Sequence, residues 1–196
     1  NIPFDAIDAF LLAMMVVLVF FTILKFRLAV VYLLVILSFG FHYSVKHTPF
    51  HDDEFIVFHS YKNTLIGIKE GEKVTFLYDE SKTMNQKIIN DYTLHRQINK
   101  QNFQTIPLGL QWGDNQLLVV DENRFYDFPS LLGSIVIVRN SPKVYLGHLI
   151  QRLQPKAIVA DGSNFKNYID QWKKTCESNG ISFYDTSREG AFILNL

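Results

Sequence analysis

Two apolar runs near the start of the chain constrain it more than any other feature. Ala9 to Leu24 and Leu28 to Val45 contain no Asp, Glu, Lys or Arg. Both are apolar around the whole helical circumference rather than along one stripe, the pattern of helices surrounded by apolar material. Extended back to Phe4, the first run covers about 31 Å at 1.5 Å per residue. That matches a hydrocarbon core of about 30 Å. Only Lys25-Phe26-Arg27 separates the runs, so the sequence predicts an antiparallel hairpin of two transmembrane α-helices. Pro3 and Asp5 suit a helix start. A cleaved signal peptide would instead begin with basic residues and end at a small-residue cleavage site. The basic turn favours the cytoplasm, which puts the N-terminus and everything after Val45 on the outer side. Because the first residue is Asn rather than Met, the expectation is that the chain begins inside a longer polytopic protein.

Charge divides the chain at the same place. Of 38 charged residues, Asp5, Asp8, Lys25, Arg27 and Lys46 are the five in the first 46 positions, and the rest lie in the remaining 150. This predicts two domains, a transmembrane hairpin over residues 1–48 and a soluble domain over residues 49–196. Nineteen basic residues balance nineteen acidic ones, which argues against a strongly basic nucleic-acid-coating protein. A single cysteine excludes an internal disulfide framework and a Cys-rich zinc module.

The second part has an α/β pattern. Short β-rich runs at Phe55–Phe58, Thr64–Ile68 and Val74–Tyr78 are separated by Asn63 and by a turn centred on Gly71, predicting an antiparallel meander. An amphipathic helix is predicted from Met84 to Lys100 and a strand over Gln116–Val120. Thereafter strands at Ile135–Val138, Ala157–Ala160, Ile181–Tyr184 and Ala191–Leu194 alternate with helices at Leu146–Leu153 and Phe165–Asn179. Pro155 stops the first of these helices and Gly180 suits the end of the second. Such alternation predicts a sheet with helices packed on it.

Chemistry-bearing residues do not converge in the sequence. The histidines stand at 42, 47, 51, 59, 95 and 148, with no His-x-His or His-x-x-x-His pair to seed a metal site. His51-Asp52-Asp53-Glu54 is the densest ligand-type run, but neighbouring side chains on an extended segment point in alternate directions. Cys176 falls on the apolar stripe of Tyr168, Ile169 and Trp172, which suits a buried structural thiol. Asp161-Gly162-Ser163-Asn164 precedes a helix without the glycines and lysine of a phosphate loop, so Ser163 or Asn164 is expected to cap that helix. Asp79-Glu80 suits an ordinary polar turn. Lys166, Lys173 and Lys174, with Tyr168 and Trp172 between them, suit a solvated helix face, with direct DNA contact as the alternative.

A family resemblance extends this reading. The run Ser134–Val138 followed by Arg139-Asn140-Ser141, the helix Leu146–Leu153, and Gln154-Pro155-Lys156-Ala157-Ile158-Val159 follow a shared order. So do Asn179-Gly180-Ile181 through Thr186 and Glu189-Gly190-Ala191 through Leu194. This order resembles the C-terminal part of ComEC-type competence proteins, polytopic channels that carry single-stranded DNA across the bacterial inner membrane. The segment Phe55–Asp79 is similar to the first strands of the metallo-β-lactamase-like domain that closes many of them. Asp161-Gly162-Ser163-Asn164 and Trp172-x-x-x-Cys176 resemble a shortened form seen in Bacteroidota-type members. The family's His-x-His-x-Asp-His motif has no counterpart here, and Arg139-Asn140-Ser141 stands roughly where the family has His-His-Gly-Ser.

The resemblance implies a degenerate, shortened metallo-β-lactamase-like sheet with packed helices, following two transmembrane helices at the end of a channel. It implies an inner-membrane, multi-pass DNA-uptake protein whose extracytoplasmic domain is a non-catalytic scaffold or gate. No catalytic, cofactor-binding or metal-binding residue is assigned, and no cofactor is expected. The expected partners are the remainder of the channel, single-stranded DNA, the lipid bilayer and other competence proteins. Two alternatives stand beside this. One is a membrane-anchored hydrolase with an atypical metal site around His51, Asp52 and Asp53. The other is a membrane-tethered interaction module unrelated to DNA, with Phe125, Tyr126 and Phe128 as its contact patch.

Overall fold

Short β-branched runs and two amphipathic helix patterns build most of the structure, a computed structural model that describes residues 6–24, 29–46, 53–122 and 131–196. The chain divides into two compact units, Asn1–Phe50 and His51–Leu196.

In the first unit, α1 (Ala6–Leu24) and α2 (Ala29–Lys46) pack against each other. Asp8 near the start of α1 and His42 near the end of α2 meet at 3.5 Å, which makes the pair antiparallel. The expectation of two transmembrane helices is not met. Among the described residues no helix is long and apolar enough to cross a membrane. The physical reason lies at the helix ends. Asp8 cuts the uncharged part of α1 to Ala9–Leu24, about 24 Å of rise. The last part of α2 carries Ser38, Gly40, His42, Tyr43, Ser44 and Lys46, which a bilayer interior disfavours. The turn Lys25-Phe26-Arg27 lies outside the described residues.

The second unit is an α/β domain with two mixed sheets rather than the single shortened sheet expected. β1 (Glu54–Val57), β2 (Leu65–Glu70) and β3 (Lys73–Tyr78) form the predicted antiparallel meander, turning at Gly71 with φ +59°. α3 (Gln86–His95) follows, and β4 (Lys100–Thr105) then pairs parallel to β3. The helix predicted to run to Lys100 stops earlier because Gln97 takes a left-handed conformation, φ +52°, from which the chain enters β4. The last strand, β10 (Phe192–Asn195), returns to the free edge of β1, giving the order β10-β1-β2-β3-β4.

β5 (Gly109–Trp112) and β6 (Asn115–Val120) make a hairpin. Next come β7 (Ile135–Val138), α4 (Leu146–Leu153), β8 (Ala157–Ala160), α5 (Lys166–Ser178), β9 (Ser182–Asp185) and the single turn α6 (Thr186–Glu189). The second sheet has the order β5-β6-β7-β8-β9, with β6 to β9 all parallel. β7 and β8 read as unbroken apolar runs because both their faces are covered.

The alternation of side chains along each strand fixes the layers. Phe55, Val57, Ile66 and Leu77 from the first sheet meet Trp112, Leu117, Val119, Ile135, Ile137 and Val159 from the second. The opposite face of the first sheet, through Ile56, Phe58, Leu65 and Phe76, packs on Ile89 of α3. The opposite face of the second, through Leu118, Val136, Val138 and Ile158, packs on Leu146, Leu149 and Leu153 of α4 and on Trp172 and Cys176 of α5. The domain is therefore four layers deep, helix, sheet, sheet, helix. Leu149, only 1% exposed, sits centrally in the outer layer. Replacing it with alanine is expected to lower unfolding free energy by about 2–5 kcal/mol, read as a drop in the urea midpoint at unchanged slope.

Candidate functional site

In a sheet of parallel strands the loops at the carboxyl ends come together, and ligand crevices form there. Here the ends of β6, β7 and β8 carry Asp121, Arg139-Asn140-Ser141 and Asp161-Gly162-Ser163-Asn164, and the end of β3 in the facing sheet adds Asp79-Glu80-Ser81-Lys82. A cleft of about 510 Å³ lies among them, lined by Asp79, Lys82, Asp121, Arg139 and Ser163 among others.

Asp161 anchors the arrangement. It is fully buried at the end of β8, and its Oδ1 accepts from the Ser163 amide at 3.0 Å, the Ser163 hydroxyl at 2.5 Å and Asn164 Nδ2 at 3.0 Å. Burial pushes the Asp161 carboxyl above its ordinary pKa, against the opposing pull of Ser163, Thr64 and the Arg139 charge. Ser163 and Asn164 then reach across to the neighbouring loop. Ser163 Oγ accepts from the Asn140 amide at 2.7 Å, and Asn164 Oδ1 accepts from the Ser141 amide at 2.8 Å. Asn164 Nδ2 also donates to the Val138 carbonyl at 2.6 Å. Neither residue caps α5 as expected, since the N-cap is Phe165 with no side-chain hydrogen bond to the helix. They are used to hold Asn140 and Ser141 in left-handed conformations, φ +58° and +50°, which cost free energy outside glycine.

Arg139 ties this loop to the other sheet. Its Nη2 donates to Asp79 Oδ2 at 2.5 Å, and both side chains are largely buried. Asp79 Oδ1 accepts from the Ser81 amide and hydroxyl, and Lys82 Nζ donates to Asn140 Oδ1 at 2.5 Å. Burial raises the Asp79 pKa, but the Ser81 donors, Arg139 and Asn140 outweigh it and hold the carboxyl below its ordinary value. The polar turn expected at Asp79 is thus a bridge between sheets.

Gly162 allows the β8 loop to approach the β1–β2 loop. A Cβ there would stand 2.4 Å from the Ser60 carbonyl oxygen, and the Gly162 carbonyl accepts from the Lys62 amide at 2.8 Å. The position requires glycine for space rather than for a left-handed turn.

Other residues singled out from the sequence have separate surroundings where the structure describes them, except His59, which abuts Gly162. Cys176 is fully buried, and burial with the Glu177 charge pushes its thiol up to about 12, the state of a structural cysteine. Asp53 Oδ1 accepts from the Gly71 amide at 2.8 Å, fixing the β2–β3 turn. His51, Asp52, Phe125, Tyr126 and Phe128 lie outside the described residues. His59 Nδ1 is 3.4 Å from Thr186 Oγ1, and His148 stacks edgewise on Tyr145. Among the described residues no three His, Cys, Asp or Glu side chains are grouped to hold a metal ion. The two carboxylates of the cluster do not suit a divalent cation, because the positive Arg139 guanidinium pairs with Asp79 and acts on Asp161 as well.

The opposite shifts of the two carboxyls give a pH test. Asp79, depressed, contributes stability above the ordinary carboxylate range and loses it as pH falls through its folded pKa. Asp161, raised, contributes most below that range and loses stability as pH rises through its folded pKa. Asp161→Asn keeps the accepting oxygen and removes the second behaviour alone. Its Tm relative to wild type is therefore expected to rise between about pH 4 and pH 8, in thermal melts across that range. A difference that is flat or falls with pH contradicts the assignment.

Residues 55–196 match the family model of the ComEC C-terminal domain. No curated protein and no solved structure matches the chain. The match covers the whole four-layer domain, including the β3, β7 and β8 ends that form the cluster. The chain belongs to the ComEC C-terminal domain family, whose members serve DNA uptake in natural competence.

Proposed function

We propose that the four-layer domain serves DNA uptake as a non-catalytic scaffold or gate at the bacterial inner membrane. Its partners would be the remainder of a channel protein, single-stranded DNA and other competence proteins. The observation that supports this reading is the condition of the polar cluster. Side-chain hydrogen bonds among Asp79, Arg139, Asn140, Asp161, Ser163 and Asn164 tie three loops together. A general base or nucleophile needs an acceptor or hydroxyl poised toward a substrate, whereas these groups are turned to holding loop shape. A rigid loop surface at one end of two sheets is what a docking or gating element requires. Family membership supplies the pathway, and the cluster argues for the role within it.

In a naturally competent host, deletion of residues 55–196 is expected to abolish transformation. Asp161→Asn, which removes a carboxylate but keeps the network, is expected to transform at the wild-type frequency. Unchanged transformation on deletion would contradict the proposal. So would metal-dependent nuclease activity of the purified chain that is lost on chelation.

A further inference from the structure

A second groove, of about 460 Å³, lies between the β1–β2 loop, the start of α5 and α6, and adjoins the cleft, sharing Lys62, Ser163 and Phe165 with it. Its lining includes Tyr61, Lys62, Phe165, Lys166 and Arg188. Tyr61 is 76% exposed and Phe165 63% exposed. Both rings stand in water beside one groove, where their faces are open to a ligand. Lys62 Nζ stands 5.1 Å from the Tyr61 ring centroid, so one side of the groove joins a ring to a cation. Lys166 adds a second positive charge immediately after Phe165. The acidic member of the lining, Asp185, is turned inward. Its oxygens accept from the Ser187 amide and hydroxyl and pair with Arg188 Nε.

Rings and cations alternate around this groove as Tyr61 with Lys62 and Phe165 with Lys166. Unpaired bases stack on exposed rings, and the phosphates between them need nearby cations. A duplex would offer its phosphates but not its base faces. An acidic peptide would satisfy the two lysines and leave both rings uncovered. We infer that this groove is a contact site for single-stranded nucleic acid, with Tyr61 and Phe165 stacking bases and Lys62 and Lys166 meeting phosphates. The inference rests on the proposed role in DNA uptake and assigns the surface through which the domain meets the strand. The close approach at Gly162 sets the spacing of the two aromatic–cation pairs, because it pins the loop of Tyr61 and Lys62 against the loop that leads into Phe165.

The test is fluorescence anisotropy of the intact chain with a labelled oligothymidylate of about 12 nucleotides. Binding is expected to weaken with salt, the logarithm of the association constant falling with a slope of about −1.4 for two phosphate contacts. Tyr61→Ala and Phe165→Ala should each weaken binding about tenfold with unchanged thermal melts, since both rings are exposed. Lys62→Ala with Lys166→Ala should flatten the salt dependence. An abasic oligomer of the same length should bind as weakly as the doubly ring-deleted variant. Binding that is undetectable at low salt overturns the inference, as does binding indifferent to both ring deletions. Displacement by polyglutamate that is equally sensitive to the ring deletions would identify an acidic peptide instead and also overturn it. These failures leave the proposed role standing, because that role fails on transformation frequency after deletion of residues 55–196, whatever the oligomer does.

Discussion

A carboxylate removed from water must be met by donors, or its ionised form destabilises the fold around it. Asp161, at the end of the interior parallel strand β8, imposes that constraint on its surroundings. Ser163 and Asn164 supply the donors to its Oδ1, and these two residues in turn hold the amides of Asn140 and Ser141. From there Arg139 reaches Asp79 on the facing sheet. One buried acid therefore organises the β8 loop and the β7 loop and connects them to the end of β3. The hydrophobic layers set where the strands lie, and the acid sets the shape of the surface at their ends.

Gly162 extends the same logic in another direction. Because no Cβ stands between them, the β8 loop and the β1–β2 loop come into backbone contact. Two adjoining recesses lie beside this contact and share Lys62, Ser163 and Phe165. In the cleft beside Arg139 the guanidinium is paired with Asp79. The groove beside Tyr61 and Phe165 keeps rings in solvent with lysines alongside.

Much of the domain was legible in the sequence where a strong period or turn residue marked it. The meander around Gly71, the apolar runs of β7 and β8, and the Tyr168, Ile169, Trp172 and Cys176 stripe of α5 are all found in their expected places. β4 was not legible, since its six residues are all exposed and Phe103 is its one apolar member, so no alternation marks it. The apolar runs of α1 and α2 have the composition of membrane spans, but Asp8 and the polar end of α2 limit them. The candidate site was half legible. Asp161-Gly162-Ser163-Asn164 stood out, but capping is a local reading, and these side chains serve a long-range one. The Asp79–Arg139 pair, 60 residues apart, leaves no periodic signal.

The loops around Asp161 are locked by side-chain acceptors rather than by secondary structure. Native-state hydrogen exchange at the Asn140 and Ser141 amides tests it most directly, because Ser163 Oγ and Asn164 Oδ1 are their partners. The account predicts protection comparable to that of the β7 amides, lost at Asn140 in Ser163→Ala and at Ser141 in Asn164→Ala while β7 stays protected. Exchange of both amides at the rate of an open loop in the wild-type chain would contradict it.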